Sequence, residues 1–156
     1  MPPDENPMAA RPDLCWSARY ETGVEALDVQ HRRLFEIVEA VGARARQPDG
    51  RHPETFETDF DRLADYAQFH FDFEEELLAT TGMSLEERRA HTVTHRAFID
   101  EMQALWTRRH TFEHAGEALY RFLAAWVVDH VLGDDLRVAK DLRRAAETPP
   151  ATVDAA

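Results

Sequence analysis

The stretch Tyr66-Ala67-Gln68-Phe69-His70-Phe71-Asp72-Phe73-Glu74, followed after a short break by His91-Thr92-Val93-Thr94-His95, decides how this chain is read. His70 and Glu74 stand four residues apart, as do His91 and His95. On an α-helix that spacing stacks two side chains on one face. One helix would present an imidazole and a carboxylate, and the next would present two imidazoles. Neutral imidazole together with carboxylate suits iron, manganese or zinc.

The flanking sequence supplies the helices. Upstream, Leu27, His31, Leu34, Val38 and Val41 recur at four and three over about 24–46, so His31 occupies a core step. Gln47-Pro48-Asp49-Gly50 breaks that helix. The second helix is expected over about 53–80, with the stripe Phe56, Phe60, Leu63, Ala67, His70, Glu74, Leu77. Gly82 marks its stop, and Ser84 with Glu87 forms a capping box for the third helix, about 85–110, whose inward face is His91, His95, Phe98, Met102, Leu105. The fourth runs from about 113 to 146. Its first stripe is Leu119, Leu123, Trp126, His130. Beyond His130 the apolar phase moves to Val127, Val131, Asp135, Val138 and Leu142. Asp135 is therefore expected inward and Asp134 outward, with Asp134→Asn expected to change little. Five residues from His130 to Asp135 turn about 140° on an ideal helix. Both residues reach one centre if the pair straddles the core face, or if a local π-type bulge intervenes.

The fold class expected is all-α, an up-down-up-down antiparallel four-helix bundle. The domain spans residues 14–146 and carries an N-terminal arm with Trp16 and Tyr20. A proline-rich leader over 1–13, read as flexible, and a loose tail over 147–156 flank it. At 156 residues the chain is long enough for one core. A formal charge of −12 argues against nucleic acid or an anionic membrane as partner. No apolar run is long enough to insert in a membrane, the N-terminus lacks the pattern of a signal peptide, and Cys15 is alone. A cytoplasmic protein is the default expectation.

Singly, an inward histidine is most often a hydrogen-bonded core residue. Here five histidines and two carboxylates fall on inward rows of all four helices. Burying them without partners costs several kcal/mol or forces them neutral, and using them as metal ligands removes that cost. His70 and Glu74 precede the turn near Thr80 by about as many residues as His91 and His95 follow it, which sets antiparallel helices at one height.

With these residues in hand, the chain resembles the hemerythrin family, specifically its single-domain bacterial members, over about residues 14–145. The resemblance rests on Gly23-Val24-Glu25-Ala26-Leu27-Asp28-Val29-Gln30-His31, on His70-Phe71-Asp72-Phe73-Glu74-Glu75, on His91 with His95, and on Trp126-Val127-Val128-Asp129-His130 through Asp135. It implies two irons in a non-haem, oxo- or hydroxo-bridged pair. His91, His95 and His130 would hold one iron, His31 and His70 the other, and Glu74 and Asp135 would bridge them. The iron with fewer ligands would take up dioxygen reversibly, as a carrier, store or delivery protein rather than an enzyme. Trp126, Val127 and Val131 are the candidate wall of the oxygen pocket. Val127 is smaller than the leucine often found there, which implies a looser pocket. His52, His110 and His114 match no ligand position and read as surface residues.

Competing readings are weighed on residues. A ferritin-like oxidase would need Glu-x-x-His on two helices, which is absent here. A zinc hydrolase of the His-Glu-x-x-His type would need a glutamate where Thr92 stands. An oxygen or redox sensor module and an iron-storage or oxidase protein remain the alternatives to a carrier.

Overall fold

Apolar side chains recurring every three or four residues give each helix one face that must leave water, and four such faces close on a common core. The computed structural model describes residues 14–45, 53–110 and 115–147, with 53–55 by backbone alone. A short 3-10 turn, Ala18–Tyr20, precedes α1, Glu25–Ala45. Then come α2, Pro53–Leu78, and α3, Leu85–Thr107. The fourth rod is α4, Ala115–His130, then a π-helical turn, Val131–Asp135, then α5, Leu136–Glu147. Among the described residues there is no strand. α1 packs on α2 and α4, and α3 packs on the same two helices, so the chain runs up, down, up and down around the core.

The expected interior is largely the observed one. Leu27, Leu34, Val38 and Val41 of α1, Phe60, Leu63 and Ala67 of α2, Phe98 and Met102 of α3, and Leu119 and Leu123 of α4 are all buried. One step of the α2 stripe is corrected. Leu77 is only half-buried, and Leu78 takes the core position in its stead, packed with Met83 and Val138 at the end of the bundle. A helix advances about 100° per residue, so a strict four-three alternation drifts and hands the last turn to a neighbouring residue. The helices also stop earlier than the periodicity suggests: α2 ends at Leu78 rather than 80, and α3 at Thr107 rather than 110. The capping box at the start of α3 is formed. Ser84 Oγ accepts from the Glu87 amide at 3.2 Å, and Glu87 accepts from the Ser84 amide at 2.8 Å. The bonds donated by the Ser84 amide and then by the Ser84 hydroxyl hold the Glu87 carboxyl below its usual range. The leader expected over 1–13, the tail beyond Glu147, and His52 and His114 lie outside the described residues. His110 is exposed.

The N-terminal arm is tied down by one carboxylate. Asp28, on α1, accepts from the Thr22 amide at 2.7 Å, the Thr22 hydroxyl at 2.8 Å and the Gly23 amide at 3.2 Å. Gly23 turns the chain there at φ 76°, a left-handed conformation that favours glycine. The arm thereby lays Trp16 beside His31, with ring centroids 6.5 Å apart, and against Phe35 at 5.4 Å.

Elsewhere, α1 and α4 approach closely enough that a Cβ on Gly42 would overlap the ring of buried Tyr120. Gly42→Ala is expected to destabilise the protein by roughly 1–3 kcal/mol through overpacking, in spite of its better helix propensity. Gly82→Ala, with nothing within 4 Å of the added carbon, is expected to be neutral. Urea unfolding of both variants beside the parent checks this.

Candidate metal centre

Three of the four rods bring ionisable side chains into one buried layer at spacings a helix imposes: His70 and Glu74 from α2, His91 and His95 from α3, and His130 with Asp135 from α4 and the π-turn. α1 adds His31. Exposure is zero for His31, His70, Glu74 and Asp135, and no more than 5% for His91, His95 and His130. The seven fall into two groups, Glu74 with His91, His95 and His130, and His31 with His70 and Asp135. Within each group one donor atom per residue lies within 4.8 Å of every other.

The π-turn explains how His130 and Asp135 meet. One residue more than an α-turn is fitted between them, so both side chains face inward. Asp135 presents one oxygen to each group. Its Oδ1 is 2.9 Å from His130 Nε2, and its Oδ2 is 3.0 Å from His31 Nε2. Glu74 Oε2 lies 3.3 Å from His91 Nε2 and 3.2 Å from His95 Nε2, while its Oε1 is buried without a hydrogen-bond partner.

These contacts do not amount to a satisfied hydrogen-bond network. Among the described residues, both oxygens of Asp135, both ring nitrogens of His31, Nε2 of His70 and Oε1 of Glu74 are buried with no hydrogen-bond partner. His31 Nε2 and the carboxylate of Asp135 are close in distance but off the line a hydrogen bond requires. His95 Nε2 and His130 Nε2 approach each other to 3.0 Å. Donor atoms about 2.1 Å from one ion and at right angles to each other lie ~3.0 Å apart. The spacing and the orphaned lone pairs fit metal ligation and fit little else, since an unpartnered buried polar group is costly.

The outward nitrogens are managed separately. His70 Nδ1–H donates to Gln30 Oε1 at 3.0 Å, and His95 Nδ1–H donates to Glu75 at 3.1 Å. His130 Nδ1 lies 3.3 Å from the Asp134 carboxylate. Each contact fixes a tautomer that leaves Nε2 free to face the centre and makes the imidazole a better donor. Aromatic faces set the ring planes. Phe71 stacks on His95 at 4.0 Å and 9°, and Trp126 stacks on His130 at 4.2 Å and 18°. Val127 and Val131, the other two wall candidates, are fully buried.

Charge follows the same division. Burial, with His31 nearby, pushes His70 down to about 4, so it is a neutral donor. Burial also opposes charge on His130, but Asp135, Asp134 and Glu74 outweigh it and carry His130 up to about 11. Burial works to raise Glu74, yet hydrogen bonds from His130, His91 and His95 hold it well below the usual carboxylate range. The hydrogen bond with His130 lowers Asp134.

Sequence reasoning placed the seven inward residues but missed Gln30, Glu75 and Phe71 as their supports. It also read Asp134 as lying off the inward row and gave it no contact with the centre. Asp134 lies outside the centre, yet its carboxylate faces His130 Nδ1, because a residue four positions on stacks directly over the ring.

Comparison with known proteins adds an independent line. The profile of the family described as the hemerythrin HHE cation binding domain matches residues 22–142. A bacteriohemerythrin of Pseudomonas paraeruginosa is 30% identical over 122 residues, covering 78% of this chain and 76% of that protein. A bacteriohemerythrin of Stenotrophomonas maltophilia is 28% identical over 130 residues, 83% of this chain and 82% of that one. A hemerythrin-like protein of Naegleria gruberi is 26% identical over 122 residues, 78% and 87% respectively.

Two outcomes are expected from this geometry. Asp135→Asn should lose bound metal, whereas Asp134→Asn should keep the stoichiometry and weaken affinity by about 10–100-fold, as losses of outer partners do. Metal analysis after graded chelation separates them. His130 carries a proton below about pH 11 in the metal-free protein, and a ligand must shed its proton. Metal loading near neutral pH should therefore release about one proton at this residue, and affinity should rise with pH. Titration in weakly buffered solution reads the release directly.

Proposed function

The chain belongs to the hemerythrin HHE family, and on that premise we propose that it binds dioxygen reversibly at a pair of non-haem irons without catalysing a reaction of its own. The observation that carries this reading is the unequal division of the buried donors. One group offers three histidines with Glu74, and the other offers two histidines with Asp135. In this reading Glu74 and Asp135 would serve both irons, with His91, His95 and His130 holding one of them and His31 and His70 the other, which would then have fewer protein ligands. When bound, the irons supply the electrons and the open coordination position by which dioxygen is taken up and given back.

The chain's own residues do the rest. Gln30, Glu75 and Asp134 hold three imidazoles by their outer nitrogens, so little reorganisation is needed at the centre. Phe71 and Trp126 keep His95 and His130 from rotating. Val127, Val131 and the inner edge of Trp126 form an apolar wall that excludes water and protons from the bound gas. Trp16 and the arm anchored on Asp28 cover the His31 side. Residues 14–146 serve as the whole binding unit. Among the described residues no helix is long and apolar enough to cross a membrane, and a cytoplasmic site of action is part of the proposal.

Anaerobic loading with ferrous iron followed by titration with dioxygen tests this. The expected result is two irons per chain and a visible absorbance that appears with dioxygen and vanishes on its removal. His70→Ala should abolish that absorbance, and His110→Ala should leave it intact. Irreversible oxidation with continued oxygen consumption would instead mean an oxidase or an iron-handling protein. One tightly held zinc with no iron would overturn the reading.

A further inference from the structure

A cleft of about 440 Å³ lies between α2 and α3 on the outer surface. Its α3 side is a single helical stripe. Leu85, Arg89, Val93 and Arg96 follow at steps of four, four and three, with Arg88 beside them. Leu85 and Val93 are 55% and 65% exposed, among the most exposed large apolar side chains described. Arg88, Arg89 and Arg96 have no carboxylate partner among the described residues. Among the other arginines, Arg33, Arg44, Arg109 and Arg121 each face one, while Arg62, Arg137 and Arg143 face none among the described residues within 4 Å. The Arg88 Nε–H is buried and lacks any hydrogen-bond partner. Unpaired cations are conspicuous in a chain with a net charge of −12.

The acid on the α2 side of the cleft is Glu75. The same carboxylate accepts from His95 Nδ1 at 3.1 Å, and His95 Nε2 faces the centre. One imidazole therefore separates the cleft from the buried donors. A second groove, between α1 and α2, holds Arg33 and Arg62 with Asp61 and Asp65, so it offers no net sign.

We propose that the α2–α3 cleft docks an acidic one-electron carrier protein, with Leu85 and Val93 as the apolar contacts and Arg88, Arg89 and Arg96 meeting its carboxylates. The class of partner rests on the di-iron reading above: a centre that works from the ferrous state needs a reductant once it has been oxidised. Each encounter passes one electron from the reduced carrier, which is oxidised, to a ferric ion, which becomes ferrous. Two encounters restore the pair. Small, charge-steered and salt-sensitive interfaces are the rule for such transient redox encounters. Through Glu75 and His95, one hydrogen bond and one imidazole join the cleft to the centre.

The test uses the iron-loaded protein and a plant-type ferredoxin as the acidic carrier. Association is followed by calorimetry, and reduction of the ferric form is followed by stopped-flow after photoreduction of the ferredoxin. The expected result is an association that weakens about tenfold or more between low ionic strength and about 0.3 M. It should weaken at least as much in the triple variant Arg88→Glu, Arg89→Glu, Arg96→Glu, and stay unchanged in Arg62→Glu. Reduction by dithionite, which needs no docking, should proceed alike in all three proteins. Equal association and equal ferredoxin-driven reduction in the triple variant overturn the proposal. So does a concentration-dependent dimer of the parent that the triple variant lacks, because the cleft would then seat a second copy. Iron content and dithionite reduction report on the di-iron reading by themselves, so its failure is distinguishable from failure of the cleft.

Discussion

A bundle interior can hold an imidazole or a carboxylate only if something meets its lone pairs, and here seven such groups share one layer. That constraint shapes the rest of the molecule. The four rods must be antiparallel and in register for His31, His70, Glu74, His91, His95, His130 and Asp135 to converge. The apolar layers on either side, Phe60 to Ala67 with Leu119 to Leu123 on one and Leu78, Met83 and Val138 on the other, supply the burial that makes convergence affordable. Among the described residues, nine buried side-chain nitrogens and oxygens have no hydrogen-bond partner, seven of them on these residues and the other two on Trp16 and Arg88. The destabilisation is local and placed where a ligand can relieve it.

The two halves of the layer differ in how they are built. The half with three histidines is stiff, since His95 and His130 are clamped between aromatic faces and acidic partners. The half with two relies on Gln30 and on the N-terminal arm. A neutral amide strengthens an imidazole donor less than a carboxylate does. The outer partners are therefore graded, anionic where the donors are more numerous and neutral where they are fewer.

Much of this was legible in the sequence. Helical period located the four rods, and His70, Glu74, His91 and His95 announced themselves as polar groups in core phase. The turn around Asp135 was legible as a conflict of phase, because His130 and Asp135 sit 140° apart on a regular helix while both stand in inward rows. Two geometries resolve such a conflict, and only coordinates choose the π-turn over straddling. Gln30, Glu75 and Asp134 were not legible for a different reason. Each lies on the flank of its helix, where a polar residue is the norm. Periodicity does not tell a carboxylate facing water from one that reaches an imidazole on another rod. The shift from Leu77 to Leu78 is accumulated drift at a helix end.

The π-turn also works as a gear. By Asp135 the chain is rotated by about 100° from where a continuous α-helix would carry it. That rotation points Asp135 at the centre. It also points Val138 at Leu78 and Met83, which close the far end of the bundle. The inner layer and the end closure thus share one register, set by a single inserted residue. Removing any residue between His130 and Asp135 would unseat both together, although they lie on different turns and touch different helices. A region that reads as a local irregularity is the index mark from which the last third of the fourth rod takes its orientation.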